Sequence, residues 1–167
     1  VFRGEKGELV GTNTDAAGFF APIAEDEWAF RDAIVIGAGG AARAILFALA
    51  QADIGSVTIL ARSPLKAAAL LSHFGLKGQV LKMDARLPPA ELLVNSSPLG
   101  MAGQPPLEID LSPLPDNAVV YDIVYTPLET RLLAQARELG LDTVDGLDML
   151  IGQAAFAFEL FFGQAPP

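Results

Sequence analysis

A glycine-rich turn between an apolar segment and a helix-forming segment constrains the fold of this chain more than any other feature. Residues 33–36 are a short apolar run, as in a central parallel strand that is covered on both faces. Gly37, Gly39 and Ala42 then fill a G-x-G-x-x-A pattern, and strong helix formers continue to Ala50. Such glycines let the backbone approach a pyrophosphate, which the positive helix end attracts, so the pattern favours a dinucleotide site over a turn without a ligand. The expected contacts are Gly37, Ala38, Gly39, Gly40 and Ala41.

Strand and helix signals alternate after residue 30, which is typical of a parallel sheet with crossover helices. The sequence therefore predicts an α/β fold with a three-layer, doubly wound parallel sheet, a Rossmann-type NAD(P)-binding domain. The predicted strands cover residues 33–36, 56–60, 79–82, 92–95, 119–124 and 143–144. The predicted helices cover residues 41–50, 64–74, 127–139 and 147–162, with Ser63 and Pro64 opening the second and Gly140 ending the third.

The two ends of the chain lie outside this alternating pattern. Residues 1–10 predict a hairpin with its turn at residues 4–7, and residues 15–30 predict a helix that enters the domain from elsewhere. We therefore divide the chain into a remnant hairpin with an interdomain linker helix (1–30), a nucleotide-binding Rossmann domain (31–163) and a tail (164–167). Both ends look cut, so we expect a fragment of a longer protein.

Charge and cysteine content exclude several classes of function. The formal net charge is −9, which argues against nucleic acid and against a membrane as partners, because both need a basic protein face. There is no cysteine, so disulfides, thiolate metal sites and a cysteine nucleophile are excluded, and we expect no metal. His73, the single histidine, precedes a predicted helix end, where a cationic side chain is favourable without any catalytic role. The expected location is the cytoplasm.

The end of the second predicted strand indicates which nucleotide is bound. An Asp or Glu there binds the ribose 2′-OH of NAD, whereas an Arg accommodates the 2′-phosphate of NADP. The strand ends at Ala61, Arg62 and Ser63, with Lys66 one turn further on, and no carboxylate stands at the deciding position. Arg62 can hold a phosphate in bidentate fashion, while Ser63 donates to it and Lys66 adds charge. The sequence thus predicts NADP; the alternative is that Arg62 and Lys66 are ordinary surface charges.

Six segments, in order along nearly the whole chain, resemble the shikimate dehydrogenase family. They are residues 11–19 (GTNTDAAGF), 37–41 (GAGGA), 61–63 (ARS, where the family usually has NRT), 94–101 (VNSSPLGM), 122–130 (DIVYTPLET) and 146–155 (GLDMLIGQAA). The resemblance implies NADP-dependent, reversible reduction of 3-dehydroshikimate to shikimate, an oxidoreductase step of chorismate and aromatic amino-acid biosynthesis. A quinate or dual-specificity relative and a non-catalytic dinucleotide-binding module are the alternatives.

The resemblance also assigns residues to a small-molecule substrate. Asp15 would bind a substrate hydroxyl and pair with a catalytic Lys from the family's N-terminal substrate domain, although with Thr14 it also makes a plain N-cap. Gln153 interrupts an apolar helix, where a polar amide needs a partner, and the resemblance implies that this partner is a substrate hydroxyl. Tyr125 follows a parallel strand at the edge where doubly wound sheets bind ligands, with a packing role as the alternative.

Further residues are assigned to the cofactor. Asn95, Ser96 and Ser97 would touch its ribose or form a turn with Pro98. The nicotinamide end would be lined by Ile123, as an apolar wall, and by Gly146, as closely approaching backbone. Ala61 replaces the family's usual Asn beside the adenine ribose.

The family's catalytic Lys precedes the part that this chain resembles, so we expect the chain to bind NADP without turnover. The association state is expected to be a monomer or a homodimer. Without a covering domain, part of residues 147–162 and the edge formed by Phe19 and Phe20 would be exposed, and such apolar surface promotes self-association.

Overall fold

The computed structural model describes residues 1–166 and contains a six-stranded parallel sheet with helices on both faces. The strands are β1 (Phe2–Arg3), β2 (Leu9–Val10), β3 (Asp32–Ile36), β4 (Ser56–Leu60), β5 (Gly78–Leu81), β6 (Leu92–Asn95), β7 (Val119–Asp122) and β8 (Asp142–Val144). The helices are α1 (Asp15–Phe20), followed by a 3₁₀ turn (Ala21–Ile23), α2 (Gly40–Gln51), α3 (Pro64–Phe74), α4 (Arg131–Glu138) and α5 (Gly146–Phe162). Pro167, the last residue of the predicted tail, lies outside the described residues.

The order of the strands in the large sheet is β5-β4-β3-β6-β7-β8, and every neighbouring pair is parallel. From β3 the chain moves outward on one side through β4 and β5, and then returns to β6 and moves outward on the other side. This reversal between β3 and β6 is the topological switch point of a doubly wound sheet. The predicted α/β class is confirmed, and the hairpin of β1 and β2 is confirmed as a separate antiparallel pair.

The core has two halves because side chains alternate along each buried strand. Val35 on β3 points into a cluster with α1, α2, α3 and α5, whereas its neighbours Ile34 and Ile36 point into a cluster with α4 and the loop before β7. All three side chains are completely buried. The continuous apolar run in β3 is therefore the consequence of cover on both faces.

Two of the predicted helices are too long at their start or end. The helix predicted for residues 15–30 is wrong beyond Phe20, because Pro22 lacks an N–H and its ring opposes continuation of an α-helix. The helix predicted from Pro127 begins only at Arg131. There the Thr130 hydroxyl accepts the N–H of Leu133 and caps the helix, so the four residues before it form a turn.

The segment from Asp15 to Trp28 packs into the same core as the large sheet. Phe19 is completely buried and stacks on Tyr121 of β7, with ring centroids 5.0 Å apart. The expectation that Phe19 would be exposed is therefore wrong, and Phe20 is only partly exposed. Trp28 is buried as well and donates its indole N–H to the Ile23 carbonyl at 2.8 Å.

The last helix carries the exposed apolar surface that the sequence indicates. Only Gly146 and Met149 of α5 are buried, while Ile151, Phe161 and Phe162 are each more than half exposed. No helix in residues 1–166 has the length and apolar character needed to cross a membrane.

Candidate nucleotide and substrate site

The centre of the candidate site is the switch point, where the ends of β3 and β6 meet. Ser96, which follows β6, donates its hydroxyl hydrogen to the carbonyl oxygen of Ile36 at 2.7 Å and its N–H to the same atom at 2.9 Å. Gly37 has a φ of 107°, and a Cβ at this position would lie 2.9 Å from the Ser96 Oγ. A side chain would therefore be both strained and obstructed at Gly37, which explains why glycine stands there.

The glycine turn leaves open space over the start of α2. Gly39 is the N-cap residue and no side chain caps the helix. A Cβ built on Gly39 or on Gly40 would meet no heavy atom within 4 Å. Ala42, the small third residue of the pattern, is completely buried against the sheet. Free N–H groups and a positive dipole end thus face an unobstructed volume, which suits a pyrophosphate.

The end of β4 presents two cations beside this turn. Arg62, Ser63 and Lys66 are all exposed, whereas Ala61 is buried. Within the described chain neither Arg62 nor Lys66 has a carboxylate within ion-pair distance; the two ion pairs found there are Arg131–Glu108 and Arg137–Glu129. Pro64 occupies the first position of α3, and the Ser63 hydroxyl accepts no cap bond from that helix within residues 1–166.

The turn after β6 uses the Asn95 side chain internally. Asn95 is completely buried; its amide nitrogen donates to the Leu99 carbonyl at 3.0 Å and to the Asp122 Oδ1 at 2.9 Å. Its Oδ1 accepts the backbone N–H of Ser97 at 3.1 Å and the Ser97 hydroxyl at 2.7 Å. The structure thus matches the turn alternative for Asn95 and leaves its side chain no free group for a ribose.

Asp122 at the end of β7 is a residue that the sequence analysis did not assign to the site. Its buried carboxyl group accepts from three donors: the Asn95 amide, the Val124 N–H at 3.1 Å and the Thr130 hydroxyl at 2.7 Å. Burial raises the pKa of this carboxyl, while the bonds from Thr130, Val124 and Asn95 act in the opposite direction. The sequence signal that could have indicated this role is the presence of both Asp122 and Thr130 in the family-like segment 122–130. The bond to Val124 also ends the strand two residues earlier than predicted.

Beyond β7 the chain runs directly under the start of α5. A Cβ on Gly146 would lie 2.4 Å from the carbonyl oxygen of Ile123, so only a glycine permits this approach. Tyr125 is 54% exposed, so its ring is not part of the core formed by residues 1–166. The tyrosine that packs is Tyr121, and its buried hydroxyl has no hydrogen-bond partner among residues 1–166. Burial, followed by the charges of Asp148 and Asp145, raises the pKa of that phenol.

Two of the three candidate substrate residues, Asp15 and Gln153, lie on crossing helices. A Cβ on Gly18 of α1 would lie 2.6 Å from the backbone nitrogen of Gln153 in α5. Asp15 is in the first turn of α1, and its side chain does not cap the helix. Its N–H donates to the Asn13 Oδ1 at 2.7 Å, and the Thr14 side chain makes no cap bond. Among residues 1–166 neither the Asp15 carboxylate nor the Gln153 amide has a side-chain hydrogen bond, although both are partly buried. Within the same residues no group of three or more potential metal-binding side chains is found.

Sequence comparison relates the chain to a known enzyme family. The family model "Shikimate 5'-dehydrogenase C-terminal domain" matches residues 146–167. The chain is 66% identical over 167 residues to the shikimate dehydrogenase (NADP(+)) of Sphingopyxis alaskensis, an alignment that covers 100% of the chain and 61% of that protein. The chain thus spans about three fifths of the length of this curated relative.

Structural comparison agrees with this relationship. Shikimate 5-dehydrogenase from Thermus thermophilus, solved in complex with NADP(H) and shikimate, superposes with a TM-score of 0.81 at 38% identity, covering 97% of this chain and 61% of the other. The ligand-free 5-ketofructose reductase of Gluconobacter sp. strain CHM43 superposes with a TM-score of 0.89 at 30% identity, covering 99% and 62%. The chain therefore belongs to the shikimate dehydrogenase family and corresponds to the C-terminal, nucleotide-binding portion of its members.

Proposed function

We propose that this chain forms the NADP-binding portion of an enzyme that interconverts 3-dehydroshikimate and shikimate. The observation that carries the proposal is the open glycine turn at the switch point, followed along the sheet by Arg62, which has no ion-pair partner within residues 1–166. The turn and the start of α2 supply N–H groups for the pyrophosphate, and Arg62, Ser63 and Lys66 supply donors for a 2′-phosphate. Relatives that are named for NADP(+) or were solved with NADP(H) support this assignment.

The residues around the start of α5 hold the nicotinamide and substrate side of the site. Ile123 and Gly146 line the nicotinamide end, since the β7 loop and the first turn of α5 touch there. NADPH supplies the hydride for ketone reduction when it is bound. The Tyr125 hydroxyl and the Gln153 amide bind substrate hydroxyls, which would satisfy the polar groups that find no partner within residues 1–166.

Asp15 is the residue of this chain that takes part in proton transfer. Its carboxylate is partly buried and has no cation within ion-pair distance in the described chain. A carboxylate in this state accepts hydrogen bonds from a substrate hydroxyl and from a cationic acid/base group. Because no Lys within residues 1–166 pairs with Asp15, we propose that the 167-residue chain alone binds NADP(H) without oxidising shikimate.

A chimera tests the proposed activity. The 167 residues replace the aligned portion of the Sphingopyxis alaskensis enzyme, to which they are 66% identical. We expect shikimate-dependent reduction of NADP+ by the chimera, loss of most of that rate with Asp15→Asn, and no loss with Glu5→Gln, an exposed carboxylate of the β1–β2 turn. A folded chimera that reduces NADP+ with quinate but not with shikimate, or with neither, would overturn the proposal.

The assay should include the reverse direction with 5-ketofructose as a comparison substrate. The likeness to a 5-ketofructose reductase shows that this fold occurs in an enzyme with another ketone substrate. We expect no oxidation of NADPH with 5-ketofructose. The isolated chain is assayed in parallel, and a shikimate-dependent rate there would contradict the proposed lack of turnover.

A further inference from the structure

A single buried carboxyl group connects three segments at the carboxyl edge of the sheet. Asn95 and Asp122 are register partners at the ends of β6 and β7, and the Asn95 amide donates to the Asp122 Oδ1 at 2.9 Å. The same oxygen accepts the N–H of Val124, two residues past β7. The other oxygen, Oδ2, accepts the hydroxyl of Thr130, the N-cap residue of α4. One side chain therefore fixes the end of β6, the turn after β7 and the start of α4.

Two of the three connected segments, the end of β6 and the turn after β7, lead directly to residues of the proposed NADP and substrate site. Asn95 holds the backbone and hydroxyl of Ser97 with its Oδ1, so the position of the Asn95 amide sets that turn. The turn held by Val124 carries Ile123 on one side and Tyr125 on the other. The Ala102 N–H donates to the Thr126 carbonyl at 2.9 Å, which joins the loop after β6 to the loop after β7 a second time.

Burial of the Asp122 carboxyl group costs folding free energy that a purely structural link would not require. Asp122 is completely buried and no Lys or Arg of the described chain lies within ion-pair distance. A buried carboxyl group without a cation is destabilising relative to an apolar side chain of similar volume. A carboxyl group offers two acceptor oxygens to donors from three directions, which an apolar residue cannot do.

We propose that Asp122 is a positioning residue: its carboxyl group sets the distance between the cofactor-side turn at 95–97 and the substrate-side turn at 123–125. The inference rests on the proposed function for the identity of the ligand, NADP. It does not need Asp122 to touch the ligand, and its complete burial places it beneath the site. The effect therefore travels through Asn95 and Val124.

Asp122→Asn is the primary test because it keeps the side-chain volume. It replaces the carboxyl oxygen that accepts the Thr130 hydroxyl by an amide nitrogen, which is a donor and cannot accept that bond. In the 167-residue chain we expect the Kd for NADP+ to rise about tenfold. This change in binding free energy is similar in size to the loss of one strong hydrogen bond. Thr58→Val is the matched control, because Thr58 is a buried residue of β4 that accepts only from Gln79. It should leave the Kd within about twofold.

A purely structural role is distinguished by measuring Kd at a temperature at which every variant is folded. Under that condition a structural role leaves the Kd of Asp122→Asn unchanged, and this result would overturn the inference. If Asp122→Asn does not fold, two variants of Thr130 replace it. Thr130→Val removes the hydroxyl that donates to Asp122 while the carboxyl group stays, and Thr130→Ser keeps a hydroxyl at this position. A raised Kd in Thr130→Val with recovery in Thr130→Ser supports the inference, and equal values for both overturn it.

Failure of the proposed function is separable from failure of this inference. If the wild-type chain binds no NADP+, the proposed function fails, and amide hydrogen exchange in the ligand-free chain decides the inference. We then expect faster exchange at the N–H groups of Ser97 and Val124 in the folded Asp122 or Thr130 variants, with unchanged exchange in Thr58→Val. Unchanged exchange at Ser97 and Val124 would overturn the inference.

Discussion

The backbone nitrogen of Gln153 lies 2.6 Å from the position that a Cβ on Gly18 would occupy, so α1 and α5 cross at a contact between their backbones. Gly152 contributes to the same crossing, because a Cβ there would lie 3.0 Å from the Gly18 carbonyl oxygen. Asp15 lies one turn before Gly18 on α1. The absence of a side chain at Gly18 thus sets how closely the proposed proton-transfer residue approaches the helix that carries Gln153.

Gly18→Ala should destabilise the chain. A contact of 2.6 Å with backbone atoms cannot be relieved by rotation of a side chain, so the helices must separate, at a cost of about 1–3 kcal/mol. Urea unfolding measures the change. Gly40→Ala is the control, since its Cβ meets no heavy atom within 4 Å and alanine favours a helix by up to about 1 kcal/mol. Equal stability of Gly18→Ala and the wild type would contradict the close crossing.

Arg62→Gln should remove most of the preference for NADP+ over NAD+. The variant keeps a polar side chain but loses the guanidinium that holds a 2′-phosphate in bidentate fashion. Calorimetric titration with both nucleotides should show the ratio of the two Kd values falling towards one, mainly through weaker NADP+ binding. Arg3→Gln, in the exposed β1, should leave that ratio as in the wild type. An unchanged ratio in Arg62→Gln would show that another group recognises the phosphate.

Asp122→Asn should change the pH dependence of stability. Burial raises the pKa of Asp122 above its ordinary value of 3.8, so the folded chain retains this proton at pH values where the unfolded chain has released it. The contribution of this group to stability is full below the unfolded-state pKa and is lost as pH rises through the folded-state pKa. Asn does not titrate. The free energy of unfolding of the variant minus that of the wild type should therefore increase with pH between the unfolded-state and the folded-state pKa of Asp122, and level off above the latter. A decrease of this difference with pH would mean that the pKa of Asp122 is lowered in the folded chain.

Tyr121→Phe should leave the free energy of unfolding unchanged or raise it by up to about 1 kcal/mol, because the deleted hydroxyl is buried and finds no hydrogen-bond partner in the described part of the chain. The stacking on Phe19 is retained by the phenyl ring. Ser96→Ala is the contrasting variant, since it removes a buried hydroxyl that donates to the Ile36 carbonyl at 2.7 Å and should cost about 1 kcal/mol. Thermal unfolding compares the two. A loss in Tyr121→Phe as large as that in Ser96→Ala would mean that the phenol has a partner.

Local sequence was sufficient for the central sheet and the glycine turn. The apolar run of β3, the glycines after it and the proline that opens α3 each act through neighbours within a few residues, and their predicted positions match the structure. Local sequence was insufficient where a distant partner decides. The start of α4 is fixed at Arg131 by the N-cap residue Thr130, whose hydroxyl donates to Asp122 at the end of β7. The end of α1 is a different case, because Pro22 is a local signal that the helix predicted for residues 15–30 did not take into account.

The candidate site shows the same division. The positions of the exposed Arg62 and Lys66 could be predicted, because both lie just after the end of β4 and the sequence pattern locates that strand end. The role of Asn95 depends on Asp122, 27 residues later, and burial of Phe19 depends on Tyr121 across the fold. Those contacts become visible only when the parallel strands are placed in register.

Titration of the 167-residue chain with NADP+ and, separately, with NAD+ tests the central claim most directly. The open glycine turn and Arg62, which has no ion-pair partner in the described part of the chain, predict one binding site. We expect NADP+ to bind at least about tenfold more tightly than NAD+, since a bidentate phosphate contact contributes on that order. Equal binding of the two nucleotides, tighter binding of NAD+, or binding of neither would contradict the account.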